Sequence, residues 1–563
     1  MAEYGKALNG AEILLHSLKE QGTELIFGYP GGAVLPLYDA LYSSDLKHIL
    51  ARHEQGAVHM AEGYAKATGK PGVVFVTSGP GATNAITGIA DAMSDSVPLV
   101  VITGQVTTPG IGKDAFQEAD VVGLTMPITK NNYQVRAVKD LAKMVKEAFH
   151  LATTGRKGPV VIDLPKDMTV SEVPLEATGP VNLVSYQPTL QPNQLQVKKL
   201  LEALKVAKKP LVLAGAGVIH ANASKELIAF VEQFQLPTLT TLLGLGTIPY
   251  EHELFLGMGG MHGSYAANMA LTDCDLLINI GSRFDDRLAS APDEFAPNAI
   301  VAHIDIDPAE IGKIIETQIP IVGDAKETLI QLLATSSEQP TCEEWRKLNQ
   351  DRKNQHPFKF DRQQIAEIKP QRVIELVGEL TKGDAIVTTD VGQHQMWSAQ
   401  YYPFKYPQQI ITSGGLGTMG YGIPAGIGAK LGAPEKEVVI FVGDGGFQMT
   451  NQELAILNDY NIDLKVILMN NRSLGMVRQW QESFFGGRRS ESVFENQPDF
   501  IKLAEAYHIN GFKVDKPATF EADFTKAFKS QGPAVIEVLV STTEHVLPMV
   551  PAGKPNDQML GVD

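Results

Sequence analysis

Residues 439–471 read VIFVGDGGFQMTNQELAILNDYNIDLKVILMNN. The apolar run Val438-Val439-Ile440-Phe441-Val442 stops at Gly443-Asp444-Gly445-Gly446. A helical stretch follows, and a second apolar run, Val466-Ile467-Leu468-Met469, stops at Asn470-Asn471. Short apolar runs bounded by turn residues, with a helix between them, predict parallel strands buried on both faces. Ligands enter such sheets beyond the carboxyl ends of the strands, so Asp444 and Asn471 should converge on one point. Glycines there admit a phosphate close to the backbone. A carboxylate beside an amide oxygen suits Mg²⁺, which takes oxygen ligands shared with a diphosphate.

The same alternation extends outward from this stretch. Ala385-Ile386-Val387-Thr388-Thr389-Asp390 opens a unit spanning 369–563, and the polar, weakly patterned residues 336–368 before it read as a linker. The strand-like runs at Pro210–Ala214, Asp275–Ile280 and Ile300–Asp305 place a second unit at 191–338. Leu25-Ile26-Phe27, Val73–Val76, Leu99–Ile102 and Val160–Ile162 place a first unit at 1–180, with a helix over 138–153. Pro174, Pro180 and Pro188 mark the stretch from Val170 to Leu190 as a linker. The predicted fold class is α/β, three consecutive parallel-sheet domains. Ser78-Gly79-Pro80-Gly81-Ala82 and Ser413-Gly414-Gly415-Leu416-Gly417 each follow an extended stretch and precede a helix of small residues. Coincidence between glycine-rich turns and a true repeat of the outer units explain this echo equally well.

A chain of 563 residues is too long for one core. Its formal charge of 48 − 64 = −16 argues against nucleic acid or an anionic membrane as partner, so an anionic substrate must be held by local donors. Cys274 and Cys342 are far apart and in no metal-ligand spacing. The N-terminus carries no signal-peptide pattern and no apolar run is long enough to span a membrane, so a cytoplasmic location is expected.

Gly-Asp-Gly alone is an ordinary tight turn. Followed by Asn-Asn at the end of the next strand, it resembles the thiamine diphosphate motif. That coenzyme needs a carboxylate on its aminopyrimidine ring. Arg52-His53-Glu54-Gln55 places Glu54 just beyond an apolar run in a first helical turn, where the ordinary role is capping. Wider similarity supports the coenzyme role. Phe27–Ala33, Arg52–Glu54, Thr77–Asn84, Asp114–Asp120, Gly392–Trp397 and Gly475–Glu482 together resemble the catalytic subunit of acetohydroxyacid synthase, also called acetolactate synthase, and the last of these is specific to that family.

The resemblance implies a pyrimidine-binding domain, a central FAD-type domain and a diphosphate-binding domain, in that order. It implies Glu54 as the coenzyme-activating carboxylate and Asp444, Asn471 and the Ser473 carbonyl as Mg²⁺ ligands. Gly392, Gln393, His394, Gly443, Gly445 and Gly446 would lie around the diphosphate, with Pro80, Asn84, Val391, Gly417, Gly475 and Met476 as further coenzyme contacts. Met419 matches an apolar wedge that bends the coenzyme, although methionine more often simply packs a core. Arg287 matches an acceptor-side cation, against the plainer reading of a surface salt bridge with Asp285 or Asp286. Trp480 matches a residue favouring the larger acceptor, and Gln117 and Lys166 match residues of the substrate channel. Gly215-Ala216-Gly217 is a fragment of a dinucleotide fingerprint that a structural turn explains as well. The resemblance adds Thr241, Leu242, Met261, His262, Gly281, Arg283, Asp305 and Asp324 as FAD contacts.

The implied activity is decarboxylation of pyruvate followed by joining of its two-carbon remainder to a second 2-keto acid, pyruvate or 2-ketobutyrate, in branched-chain amino-acid biosynthesis. Carboligation moves no net electrons, which implies a structural flavin. A homodimer or homotetramer with the site between subunits, and a small regulatory subunit, are implied as partners. A flavin-dependent pyruvate oxidase and a catalytically silent homologue are the competing readings. Trp480 and Arg287 oppose the first, and intact Glu54, Asp444 and Asn471 oppose the second.

Overall fold

The computed structural model describes residues 4–335, 338–363 and 366–562. The chain ends at 1–3 and 563, and residues 336, 337, 364 and 365 of the expected second linker, lie outside the described residues. Three six-stranded sheets dominate, each parallel throughout. The predicted apolar runs all form strands within them, and Val73–Val76, Val160–Ile162 and Val438–Val442 are buried on both faces. Continuous runs of valine and isoleucine suit such strands because helices cover both sides.

Counted along the chain within each unit, the strands of the first and third sheets follow the same order, 2-1-3-4-6-5. The central sheet has the order 3-2-1-4-5-6, that of a dinucleotide-binding sheet, which reverses direction between Pro210–Ala214 and Leu276–Ile280. The outer units therefore repeat one topology. The glycine echo does not mark that repeat: Ser78–Ala82 follows the third strand of its sheet, whereas Ser413–Gly417 follows the second strand of its own. Those two turns resemble each other by coincidence, and the topological counterpart of Ser413–Gly417 is the segment around Glu54.

The helices that follow these two second strands, Glu54–Thr68 and Gly422–Gly432, pack on each other. Their backbones nearly touch. A Cβ on Gly63 would collide with the Ala425 carbonyl, and one on Gly428 with the Met60 carbonyl. His53 caps the first helix by accepting from the Gln55 amide, and Gly69 ends it in the left-handed region at φ 73°. One apolar core then runs through both units, joining Val58, Met60 and Ala61 to Ile423, Ile427 and Ile440. A second joins the central unit to the third.

Both expected linkers hold more structure than their composition suggests. In the first, Glu172–Pro174 pairs antiparallel with Ala7–Asn9. In the second, Glu343–Gln355 is a helix, although its polar sequence lacks a wide apolar face. One aromatic anchors it to the central unit: Trp345 is buried and donates its indole N–H to the Pro210 carbonyl at 2.9 Å. Beyond the last strand, the C-terminal segment returns to the central unit, where the Val550 amide donates to the Met261 carbonyl at 2.8 Å. Both cysteines are buried free thiols. Among the described residues no helix is long and apolar enough to cross a membrane.

Because neither carbonyl at the helix crossing can move away cheaply, Gly428→Ala should cost at least roughly 1–3 kcal/mol through overpacking. A lower thermal unfolding midpoint, read by tryptophan fluorescence, checks this. An unchanged midpoint would show that the crossing is not tight.

Candidate active site

Asp444 and Asn471 meet as their strand-end positions predict. Val438–Gly443 and Lys465–Asn470 are adjacent parallel strands in which Gly443 pairs with Met469, so Asp444 and, one residue past the strand end at Asn470, Asn471 sit at one carboxyl edge. The helix begins at Asp444 itself. A small pocket of about 30 Å³ there is lined by Gly392, Gln393, His394, Gly443, Asp444, Gly445, Gly446, Asn471, Ser473 and Gly475, which is room for about one ion or water. Asn471 Oδ1 accepts from the Ser473 amide at 3.1 Å, and its Nδ2 donates to Gln393 Oε1 at 3.1 Å.

Electrostatics favour an anionic ligand carrying a cation. Burial pushes the Asp444 carboxyl up to about 7, against an opposing hydrogen bond from Gln497 at 2.6 Å. A cation at that carboxylate would offset the desolvation. Burial also holds His394 neutral, its pKa lowered to about 4, and its buried Nε2 has no partner in the chain. An unpaired buried ring nitrogen is costly unless a ligand oxygen reaches it. Cβ atoms on Gly392 or Gly443 would press on the His394 ring at 3.1 Å, so both glycines give the histidine its place. These residues fit Mg²⁺ and a diphosphate.

Next to this pocket opens a cavity of about 1700 Å³ lined by all three units, Ser94, Asp95 and Arg156 of the first among them, larger than a single small substrate needs. Val391, Gly392, Met419 and Gly475 line both spaces. Met419 is half-buried at their junction rather than in a core, which suits a wedge. Gly417 and Met476 line the large cavity only. The Arg287 guanidinium sits 5.9 Å from the centre of the Trp480 ring across the unit boundary, and its ion pair to Asp286 at 3.5 Å is exposed on both sides. An exposed pair of that kind contributes little. The stacking brings together two residues from separate sheets.

The central unit's share of the cavity lies at its topological switch point. Ala216, Gly217, Thr241, Leu242, Met261, His262, Gly281, Arg283, Asp305 and Asp324 all line it. Gly215 does not; it packs on Gly281, whose carbonyl a Cβ there would strike. A Cβ on Gly217 would come 2.6 Å from Gly281 Cα, so these bare backbones leave a flat wall. Asp305 ends the fifth strand of the sheet as a carboxylate able to accept from ligand hydroxyls, and the cavity walls are apolar elsewhere at Leu242, Leu243 and Ile304. A dinucleotide such as FAD fits this donor and acceptor set.

The remaining candidates gather at the carboxyl edge of the first sheet. Glu54 is 9% exposed and accepts from Asn84 Nδ2 at 3.0 Å. Gly79 packs on the Gln117 backbone, where a Cβ would sit 2.7 Å from its carbonyl oxygen, and Gln117 itself lies in the left-handed region at φ 60°. Lys166 follows the strand Pro159–Pro165 and is exposed, as are Pro80 and Asn84. None of these five lines the cavities around Asp444. Of the two carboxyl-edge groups in one chain, only that of the third unit lines these cavities.

Two supporting residues escaped sequence reasoning. Asp390, fully buried, accepts from the amides of Val391 at 2.9 Å, Gly420 at 3.0 Å and Gly422 at 2.9 Å, pinning the backbone beside Met419. It ends an apolar strand just as Asp444 does, a signal that was legible. Gln497 comes from an irregular loop with no pattern to mark it.

The sequence matches three family descriptions: "Thiamine pyrophosphate enzyme, N-terminal TPP binding domain" over residues 8–124, the central domain of the same enzymes over 197–332, and their C-terminal TPP binding domain over 390–538. It is similar to the acetolactate synthase large subunit of Lactococcus lactis subsp. lactis, 58% identical over 99% of this chain and 97% of that protein. It is also similar to the isozyme 3 large subunit of Escherichia coli, 47% identical over 98% of each chain. The large subunit of Haemophilus influenzae is 47% identical over 99% of this chain and 98% of its own.

Asp444 binds a cation only when ionised, and burial keeps it protonated up to about pH 7. Its pKa is raised on folding, so without a cation its ionisation costs stability as pH rises from the ordinary carboxylate range through about 7. Mg²⁺ should therefore raise the thermal midpoint more at pH 8 than at pH 6. Equal increments at both values would remove Asp444 from the cation site.

Proposed function

The chain belongs to the acetolactate synthase large subunits, and we propose on that basis that it joins the two-carbon remainder of decarboxylated pyruvate to a second 2-keto acid, the first step of branched-chain amino-acid biosynthesis. Its thiamine diphosphate domains supply the chemistry: bound thiamine diphosphate offers an electron sink for loss of CO₂. The observation that supports carboligation best is the Arg287 and Trp480 pair, which stands in the cavity opening directly onto the Asp444 pocket.

In this reading Asp444, Asn471 and Ser473 hold Mg²⁺, and His394 Nε2 with the flanking glycine backbone binds the diphosphate. Met419 supports the coenzyme from the junction of the two spaces. Arg287 holds the acceptor carboxylate, while the Trp480 ring shapes the space for its alkyl group and keeps water from it. Glu54, oriented by Asn84, shares a proton with the coenzyme's ring nitrogen.

Glu54, Pro80, Asn84, Gln117 and Lys166 are absent from the linings of the two cavities at Asp444, which supports a complete site that takes the first unit of a second copy. A homodimer, alone or paired into a homotetramer, supplies it. The relatives' designation as large subunits supports a smaller regulatory partner. Gly217, Gly281, Arg283 and Asp305 would hold FAD at the switch point of the central sheet, where its part would be structural, since carboligation transfers no net electrons. A cytoplasmic setting suits an enzyme with buried free thiols.

Purified protein given pyruvate, thiamine diphosphate and Mg²⁺ should form 2-acetolactate, and with 2-ketobutyrate added 2-aceto-2-hydroxybutyrate, without consuming oxygen. Absence of both products would overturn the reading, and oxygen consumption would favour a pyruvate oxidase. Glu54→Gln should lower kcat by about 10²-fold or more while thiamine diphosphate still binds; unchanged turnover removes Glu54 from catalysis. Trp480→Ala should reduce the preference for 2-ketobutyrate over pyruvate by about tenfold, checked by the product ratio under competition.

A further inference from the structure

Beneath residues 412–419, the loop that carries Met419, lies a buried polar cluster contributed by the first unit, and no role described above uses it. Asp91 and Asp95, 0% and 4% exposed, reach across from the helix Ile86–Ser94 and the residue that follows it. Asp91 Oδ1 accepts from both Ser413 Oγ and Thr418 Oγ1, the latter at 3.0 Å, and Ser413 Oγ in turn accepts from the Thr418 amide at 2.8 Å. Asp95 accepts from the amides of Gly414 at 3.0 Å and Gly415 at 2.7 Å. Lys66 Nζ bridges Asp95 at 2.8 Å and the Thr412 carbonyl at 2.6 Å.

This loop also touches the central unit. A Cβ on Gly415 would meet Arg283 Nη2 and Asp95 Oδ1 at 3.0 Å each, and one on Gly414 would meet Leu243 at 2.7 Å. It is therefore the place where all three units meet, and six of its residues from Ser413 to Met419 line the large cavity. Charged acceptors that hold successive backbone amides fix a glycine-rich segment that has no side-chain packing of its own. The Glu62 and Asp91 carboxyls each leave one buried oxygen unpartnered in the chain. Burial and the adjacent Asp91 push Glu62 well above the usual carboxylate range, and burial and the adjacent Asp95 raise Asp91 as well.

We infer that Asp91 and Asp95 are positioning residues: from the first unit they clamp loop 412–419, and through it they set where Met419 stands in the coenzyme site of their own chain. This rests on the proposed thiamine diphosphate site, but the clamp itself is readable without coenzyme. The first unit thus serves two sites, holding one wall of its own chain's site while offering Glu54 to another.

Hydrogen–deuterium exchange of the coenzyme-free, full-length protein reads the loop directly, and the thiamine diphosphate dissociation constant reads its effect on the site. Asp91→Ala should raise amide exchange in 412–419 and weaken thiamine diphosphate by about tenfold each, the scale of a lost charged hydrogen bond. Asp91→Asn, which keeps an Oδ1 acceptor for Ser413 and Thr418, should return both to within about twofold of wild type. If Asp91→Ala does not fold, Ser413→Ala cuts the same link from the loop side and should shift both readouts in the same direction. Wild-type exchange in 412–419 for Ser413→Ala or Asp95→Ala would overturn the clamp, as would Asp91→Asn behaving like Asp91→Ala. Failure of the wild type to bind thiamine diphosphate, with the exchange pattern as expected, would instead count against the functional reading alone.

Discussion

The close crossing of the helices Glu54–Thr68 and Gly422–Gly432 is the contact on which the rest of the molecule depends. Gly63 and Gly428 let two backbones approach to a distance that any side chain would forbid. At that separation the apolar cores of the first and third units become one. Lys66, Asp91 and Asp95 are also brought under the 412–419 loop, so the wall of a ligand cavity in one unit is held by charges from another.

The outer units show one topology put to two uses. Both follow the order 2-1-3-4-6-5 and both place their functional side chains at the carboxyl edge of the sheet. The third edge carries oxygen ligands, bare glycine backbone and a neutral histidine with an unpartnered nitrogen, a set suited to a cation and a diphosphate. The first carries Glu54, held by Asn84, and no comparable phosphate cradle.

Sequence signals were strongest where local and tertiary preferences agree. Apolar runs that stop at glycine or asparagine became buried strands ending at a ligand edge, and Asp444 and Asn471 line one pocket because their adjacent parallel strands end at the same edge. Signals failed where one long-range contact decides the outcome. The helix Glu343–Gln355 reads as a polar linker because it docks through one indole, Trp345, and through polar contacts such as Lys353 to the Phe255 carbonyl rather than an apolar face. The glycine echo of Ser78–Ala82 and Ser413–Gly417 was locally convincing, yet the turns occupy unlike places in like sheets. Gln497 acts on Asp444 from a distant irregular loop that no short-range pattern announces, whereas Asp390 carried the same strand-end signal as Asp444.

The sequence by itself determined the three parallel α/β units, the coenzyme motif and the family, because these depend on residue type at short spacing and on wide similarity. Tertiary structure alone decided that Arg287 lies over Trp480, that Met419 stands at the junction of two cavities, and that Glu54 lines neither of them. Each of those facts follows from how whole sheets are oriented against one another. That orientation is set by steric contacts such as Gly63 against Ala425, between residues hundreds of positions apart, which no local reading of the chain contains.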